Sequence, residues 1–179
     1  IGNIANAAGA NLTLNGVQGV PLLNITANDD DTTINFTDSA LANLADVMVV
    51  NLEGLTLNSN IILSKDTGSN ALETLTINSN STSNIISDIQ TTSAGVTELN
   101  ISGSKDITIS TRLDDEIVSI NTASATGNMT YGFGNGAVSL TAGDGIDTIT
   151  TSSGINVVSL GGGDDLITFA GEDLTSDNA

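Results

Sequence analysis

From Ala142 to Thr168 the chain repeats every nine residues, as AGDGIDTIT, TSSGINVVS and LGGGDDLIT. The fourth position of each unit is glycine (Gly145, Gly154, Gly163), and the sixth is Asp147, Asn156 or Asp165. The eighth is β-branched, as Ile149, Val158 and Ile167. A nonapeptide frame of this kind winds a chain into parallel β coils, each unit giving a turn and a short strand. Two units complete a coil, so residues eighteen apart are expected to stack along one edge.

Counting back by nines adds FGNGAVSLT (Phe133 to Thr141) and SATGNMTYG (Ser124 to Gly132). Gly136 and Gly127 keep the glycine position, and Leu140 and Tyr131 keep the inward apolar position. Val138 and Met129 replace the polar sixth residue. Five units thus share one register, and only the last three carry Asp or Asn at the sixth position.

Earlier in the chain short apolar alternations recur at irregular spacing: Leu12/Leu14, Ile34/Phe36, Val47/Val49, Leu55/Leu57, Leu75/Ile77, Leu99/Ile101, Ile107/Ile109 and Val118/Ile120. Each has the period of two of a strand with one buried face. Clusters of Asn, Ser, Asp and Gly between them supply turns. Asp38 to Asp46, DSALANLAD, reads instead as one short helix with Asp38 as its N-cap. Asn, Ser and Thr make up roughly a third of the chain, far above globular usage. Such composition suits disorder, but regularly placed β-branched residues favour a solenoid with polar rungs.

The expected fold is therefore all-β: an irregular parallel β-solenoid (a β-helix) over 1–120, with the helix near 38–46, running into a regular parallel β-roll over 121–179. No Pro- or Gly-rich linker separates the two, and the sole proline is Pro21. The core has to be aliphatic, because aromatic residues make up only 2% of the chain.

A net charge of −18, from 21 acidic and 3 basic residues, argues against nucleic acid as a partner. Lys65, Lys105 and Arg112 are too few to neutralise a phosphate backbone. The absence of cysteine excludes disulfides and thiolate metal sites. No apolar run is long enough to span a bilayer, so membrane insertion is not expected. The start at Ile1 has no signal-peptide pattern, and no secretion signal is recognisable after Asp177. The chain reads as an internal piece of a longer protein.

The acidic turns point to a cation. Asp147 and Asp165 fall eighteen apart, with Asp144 and Asp164 in the same two turns beside Gly143, Gly145, Gly161 and Gly163. From Leu113 onward there are ten acidic residues and no Lys or Arg. Two carboxylates about 5 Å apart repel by about 3 kcal/mol at an effective dielectric of 20. Hard carboxylate and carbonyl oxygens favour Ca²⁺ over Mg²⁺, which resists dehydration, and over Zn²⁺, which prefers His or Cys. Glycine's expected role is conformational, letting the turn bring carbonyls together. The competing reading makes these ordinary Gly-Asp β-turns. On the opposite edge Asn135 and Asn156 suit hydrogen bonding better than metal, which leaves Asn156 a weaker candidate. Asp29, Asp30 and Asp31 form a second weaker site, since three carboxylates sit together without a base.

The frame resembles the calcium-binding repeats-in-toxin (RTX) superfamily of Gram-negative secreted proteins. The Asn/Thr-rich stretch before it, with segments such as ELNISGSKDITIS (Glu98 to Ser110), is similar to the surface-layer proteins of Caulobacter and Campylobacter type. The resemblance implies type I secretion, calcium-driven folding outside the cell, and self-association into a two-dimensional lattice on the bacterial surface. Lipopolysaccharide anchoring would fall to regions outside this chain. An adhesin or spacer region of a large exported RTX protein is the alternative. Catalysis is not expected. Asp66-Thr67-Gly68-Ser69 matches the string of aspartic proteases, but that chemistry needs two such carboxylates and one copy occurs.

Overall fold

The computed structural model describes residues 10–26, 30–56, 58–91 and 93–169. Within them the chain forms sixteen strands and one short 3-10 helix. The first eight strands are β1 (Leu12–Val17), β2 (Leu22–Thr26), β3 (Thr32–Phe36), β4 (Val47–Glu53), β5 (Asn60–Lys65), β6 (Thr74–Ser79), β7 (Asn84–Ile86) and β8 (Asp88–Gln90). The rest are β9 (Glu98–Gly103), β10 (Ile107–Arg112), β11 (Ser119–Ala125), β12 (Met129–Gly132), β13 (Ser139–Thr141), β14 (Thr148–Thr150), β15 (Val157–Ser159) and β16 (Leu166–Thr168).

These strands make an all-β molecule in which every described pairing is parallel. Seven strands join in the order β15-β13-β11-β9-β6-β4-β2, five in the order β16-β14-β12-β10-β7, and four in the order β1-β3-β5-β8. From β9 onward consecutive strands alternate between the seven- and five-stranded sheets. Parallel neighbours need a crossover. Here a strand of the other sheet supplies it. The seven-stranded sheet passes through residue 120 without a break.

The spacing between paired strands changes along the chain. Hydrogen-bonded side chains of neighbouring strands are 27 residues apart at Asn24 and Asn51 and 24 apart at Asn78 and Ser102, and the Asp165 side chain accepts from the backbone N–H of Asp147, 18 residues earlier. The constant nine-residue frame thus corresponds to the shortest spacing between paired strands, with six residues between one strand and the next.

The alternation of apolar and small polar residues places one row inside and one outside. Leu23, Val50, Ile77 and Ile101 stack in register and are buried. Their sequence neighbours Asn24, Asn51, Asn78 and Ser102 stack on the outer face. There Asn51 Nδ2 donates to Asn24 Oδ1 (2.6 Å), Asn78 Nδ2 to Asn51 Oδ1 (2.8 Å), and Ser102 Oγ to Asn78 Oδ1 (2.5 Å). The inner row removes aliphatic surface from water, at about 1.5–3 kcal/mol per fully buried side chain. One continuous core results, reaching from Leu23 to Ile149.

Three local expectations shift. In β4 the inward residues are Met48, Val50 and Leu52, whereas Val47 and Val49 face out. The apolar run VMVV leaves the phase of the strand open, and pairing to β2 and β6 fixes it. Ile120 is buried but Val118 is 45% exposed, because it precedes the strand and Ile117 turns in instead. The helix is a 3-10 turn of four residues, Asp38–Leu41, whose N-cap is Thr37 without a side-chain cap. Asp38 instead bonds Asn70, through Asn70 N–H at 2.9 Å and Asn70 Nδ2 at 2.9 Å. Asp46 closes a turn on Asn43, and Leu44 stands fully in solvent. Leu57 lies outside the described residues.

Candidate functional site

Sixth-position residues of the nonapeptide do one job in common. Asp147 Oδ1 accepts the Met129 N–H at 2.9 Å, Asn156 Oδ1 the Val138 N–H at 3.1 Å, and Asp165 Oδ1 the Asp147 N–H at 2.9 Å. In each case the donor lies 18 residues earlier, one rung below. A short side-chain oxygen at a turn satisfies a backbone donor that the short strands leave unpaired. Asn serves as well as Asp here. Asn156 Nδ2 also donates to Gly154 O at 2.8 Å and to Ser152 O at 3.2 Å, so this edge closes on neutral groups.

The fourth-position glycines are needed for close approach. A Cβ on Gly145 would lie 2.2 Å from Gly127 O, one on Gly154 2.5 Å from Gly136 O, and one on Gly163 2.2 Å from Gly145 O. Each turn therefore rests directly on the carbonyl of the turn beneath. Positive φ is confined, within this tract, to Gly161 (75°) and Gly163 (118°). A left-handed backbone therefore calls for glycine at those two positions and not at Gly143 or Gly145.

The acidic residues of the two stacked turns separate into an inner and an outer set. Asp147 is 1% exposed. Burial raises the pKa of its carboxyl, the Met129 N–H opposes that, and the nearby Asp165 charge adds to it. Asp144 and Asp164 are exposed, and Asp165 is half-buried. The Asp144 N–H donates to Ala125 O at 3.1 Å, and Gly143 O accepts the Gly162 N–H at 3.0 Å. Asp144 Oδ1 would lie 3.2 Å from a Cβ on Gly162, and Asp165 Oδ1 3.2 Å from one on Gly163. Two carboxylates thus border the Gly161–Gly163 turn from different rungs.

Among the described residues no three acidic side chains gather tightly enough to hold a metal by themselves. A cation at this turn would have to complete its shell with backbone carbonyls and water. Calcium accepts such a mixed set of oxygens, and the chemistry of Asp144, Asp165 and the glycine carbonyls fits it.

The other sequence candidates serve as ties between rungs. Asp31 N–H donates to Asn11 Oδ1 at 3.1 Å, and Asp31 Oδ1 accepts from Asn60 Nδ2 at 2.7 Å. Asp30 is half-buried beside it, and Asp29 lies outside the described residues. Beyond those candidates, Asp114 Oδ2 accepts from the Thr91 backbone and hydroxyl, and Asp115 Oδ1 accepts the Asn135 N–H. In the Asp-Thr-Gly-Ser segment Lys65 Nζ donates to Gly68 O at 2.6 Å and pairs with Asp38 at 3.6 Å, which makes a turn.

Sequence reasoning overlooked Thr122. It is fully buried, two residues beyond the inward Ile120 on β11, and that alternation was the signal available. No family model, curated protein or solved structure matches this chain.

Proposed function

We propose that the chain is a structural segment of a secreted bacterial surface-layer protein: a parallel β-solenoid whose last rungs are tightened by calcium and whose faces pack into a two-dimensional lattice. Strands that alternate between two parallel sheets support the solenoid reading. A register of 18 residues in the final rungs supports the β-roll.

The observation that carries the calcium reading is the pair of carboxylates, Asp144 and Asp165, bordering one glycine turn in a segment with no basic residue after Arg112. Bound there, calcium supplies positive charge and a coordination shell that stacked acidic turns lack. Asp144 and Asp165 are its side-chain ligands. Carbonyls of the Gly143–Gly145 and Gly161–Gly163 turns complete the set. Asp147 is buried behind the turn and adds attraction through its charge.

The mechanism is a change of order with the medium. At low calcium the acidic turns repel and the tract stays loose. Outside the cell, millimolar calcium binds only the stacked form and stabilises it by mass action. The reading gives the chain no catalytic step.

Calorimetric titration of the whole chain with calcium tests the site, and negative-stain imaging of the calcium-loaded protein tests the lattice. Saturable binding lost in Asp144→Asn and Asp165→Asn, together with ordered sheets, is the expected result. Binding without sheets would make the chain a spacer or adhesin segment. No binding heat, with an unchanged hydrogen-exchange map in chelator, would sink the calcium reading.

A further inference from the structure

Arg112 ends β10, and its side chain reaches along the five-stranded sheet over two further strands. Its Nη1 donates to Phe133 O at 3.1 Å and to Thr151 O at 3.3 Å, each one residue past the end of β12 or β14. Both protons of Nη1 are thereby used. A guanidinium has five N–H donors, so Nε keeps one and Nη2 keeps two. The Nε–H and the adjacent Nη2–H run parallel, and together they form a fork that matches the two oxygens of a carboxylate. Among the described residues no acidic side chain fills that fork, although the chain carries 21 of them.

Arg112 borders a notch of about 210 Å³. Gly132 leaves the space open. It lies in register between Arg112 on β10 and Thr150 on β14, and a Cβ there would sit 3.2 Å from Arg112 Cγ and 3.6 Å from Thr150 O. Besides Arg112, the walls carry hydroxyl residues, Ser110, Thr111, Thr130, Thr148 and Thr150, and no carboxylate. The Thr111 hydroxyl donates to Asp88 Oδ1 at 2.5 Å, and the second oxygen of Asp88 accepts from Gln90 Nε2 at 3.0 Å. Asp147, next to Thr148, turns inward and is 1% exposed. A fixed cation among hydroxyls thus stands on an otherwise acidic molecule.

We propose that this notch binds a small hydroxy acid of the sugar-acid class, with the carboxylate in the Arg112 fork and the hydroxyls against the serine and threonine side chains. A hydroxyl both donates and accepts, so hydroxyl-lined walls suit a polyol in whichever sense each bond runs. Pockets for drug-sized ligands hold about 300–1,000 Å³. The smaller notch suits one sugar-sized unit. An exposed charge pair contributes little, so an affinity of about 1 mM is expected. The site lies apart from the glycine turns and does not rest on the calcium or lattice reading.

NMR titration of the whole chain with sodium glucuronate, in chelator, tests the proposal. Chelator prevents the acid from being held through calcium. The expected result is saturating shifts confined to the amides of 110–112, 130–132 and 148–150 and to the Arg112 Nε–H. Arg112→Lys keeps the charge and loses the fork, and should weaken binding about fivefold or more. Gly132→Ala keeps Arg112 and narrows the notch, and should weaken it comparably; Thr130→Val replaces that variant if it fails to fold. Glucose supplies hydroxyls without charge and phosphate supplies charge without carbon-borne hydroxyls, so both should bind more weakly than glucuronate. Shifts that never saturate, that persist unchanged in Arg112→Lys, or that phosphate or glucose reproduces at equal concentration would each overturn the proposal.

Discussion

The Asp165 carboxylate caps the backbone N–H of Asp147 at 2.9 Å, one rung below. The same two residues are thus joined by a hydrogen bond and opposed by charge, since Asp165 helps to raise the Asp147 pKa. The hydrogen bond needs only an oxygen. The charge is surplus to it.

That separation predicts how the sixth position responds to substitution. Asp165→Asn keeps the oxygen and should leave metal-free stability within about 0.5 kcal/mol of wild type. Asn156→Ala leaves the Val138 N–H without its acceptor and should cost about 1–3 kcal/mol. Urea denaturation of both variants in chelator measures the contrast.

Gly145→Ala should be among the most damaging single substitutions in the tract. Its methyl would sit 2.2 Å from Gly127 O, a backbone atom that cannot move without separating two rungs. A loss of about 3 kcal/mol or more, or failure to fold, is expected. Gly19→Ala, with nothing within 4 Å, is the control and should be nearly neutral on the same denaturation curve.

Acidification should stabilise the metal-free protein through Asp147. Its folded pKa is raised above the ordinary 3.8, so the unfolded chain loses that proton first as pH rises. The cost of burying the charge is fully present above the folded pKa. It shrinks as pH falls through that value and is gone below 3.8. Melting temperature in chelator should therefore climb as pH drops from neutrality. In Asp147→Asn this part of the pH dependence disappears, and the variant should melt higher than wild type at pH 7.

Removing calcium should loosen one end of the molecule. Hydrogen exchange in chelator is expected to rise mainly after residue 124, with little change in β4, β6 and β9. Asp144→Asn should weaken calcium binding tenfold or more, whereas Asp147→Asn should weaken it far less, because that carboxylate faces inward. Comparable losses in the two variants would move the ligand assignment back to Asp147.

The regular tract was legible because its spacing is constant: paired strands lie eighteen residues apart and every connection has six residues, so register does not drift. Parallel stacking, the inward Tyr131 and the stacked Asp147 and Asp165 all follow from that frame. Before residue 120 the strands were visible as alternations but their partners were not, because side chains that meet lie 20, 24, 27 or 29 residues apart. Val47 and Val49 show the limit of local pattern, since an unbroken apolar run has no phase of its own. The inward turn of Asp147 was hidden for another reason. An acidic sixth residue and an amide look different in sequence, but both meet the same backbone donor.

The outer row from Asn24 to Ser102 has a further consequence. Every bond in it runs the same way, from a later rung back to an earlier one, between groups that neither titrate nor attract counter-ions. Changing salt, pH or divalent ions leaves such a column alone. That column is thereby insulated from its surroundings, and sensitivity to the ionic medium falls to the turns where carboxylates stand, Asp38 beside Lys65 among them.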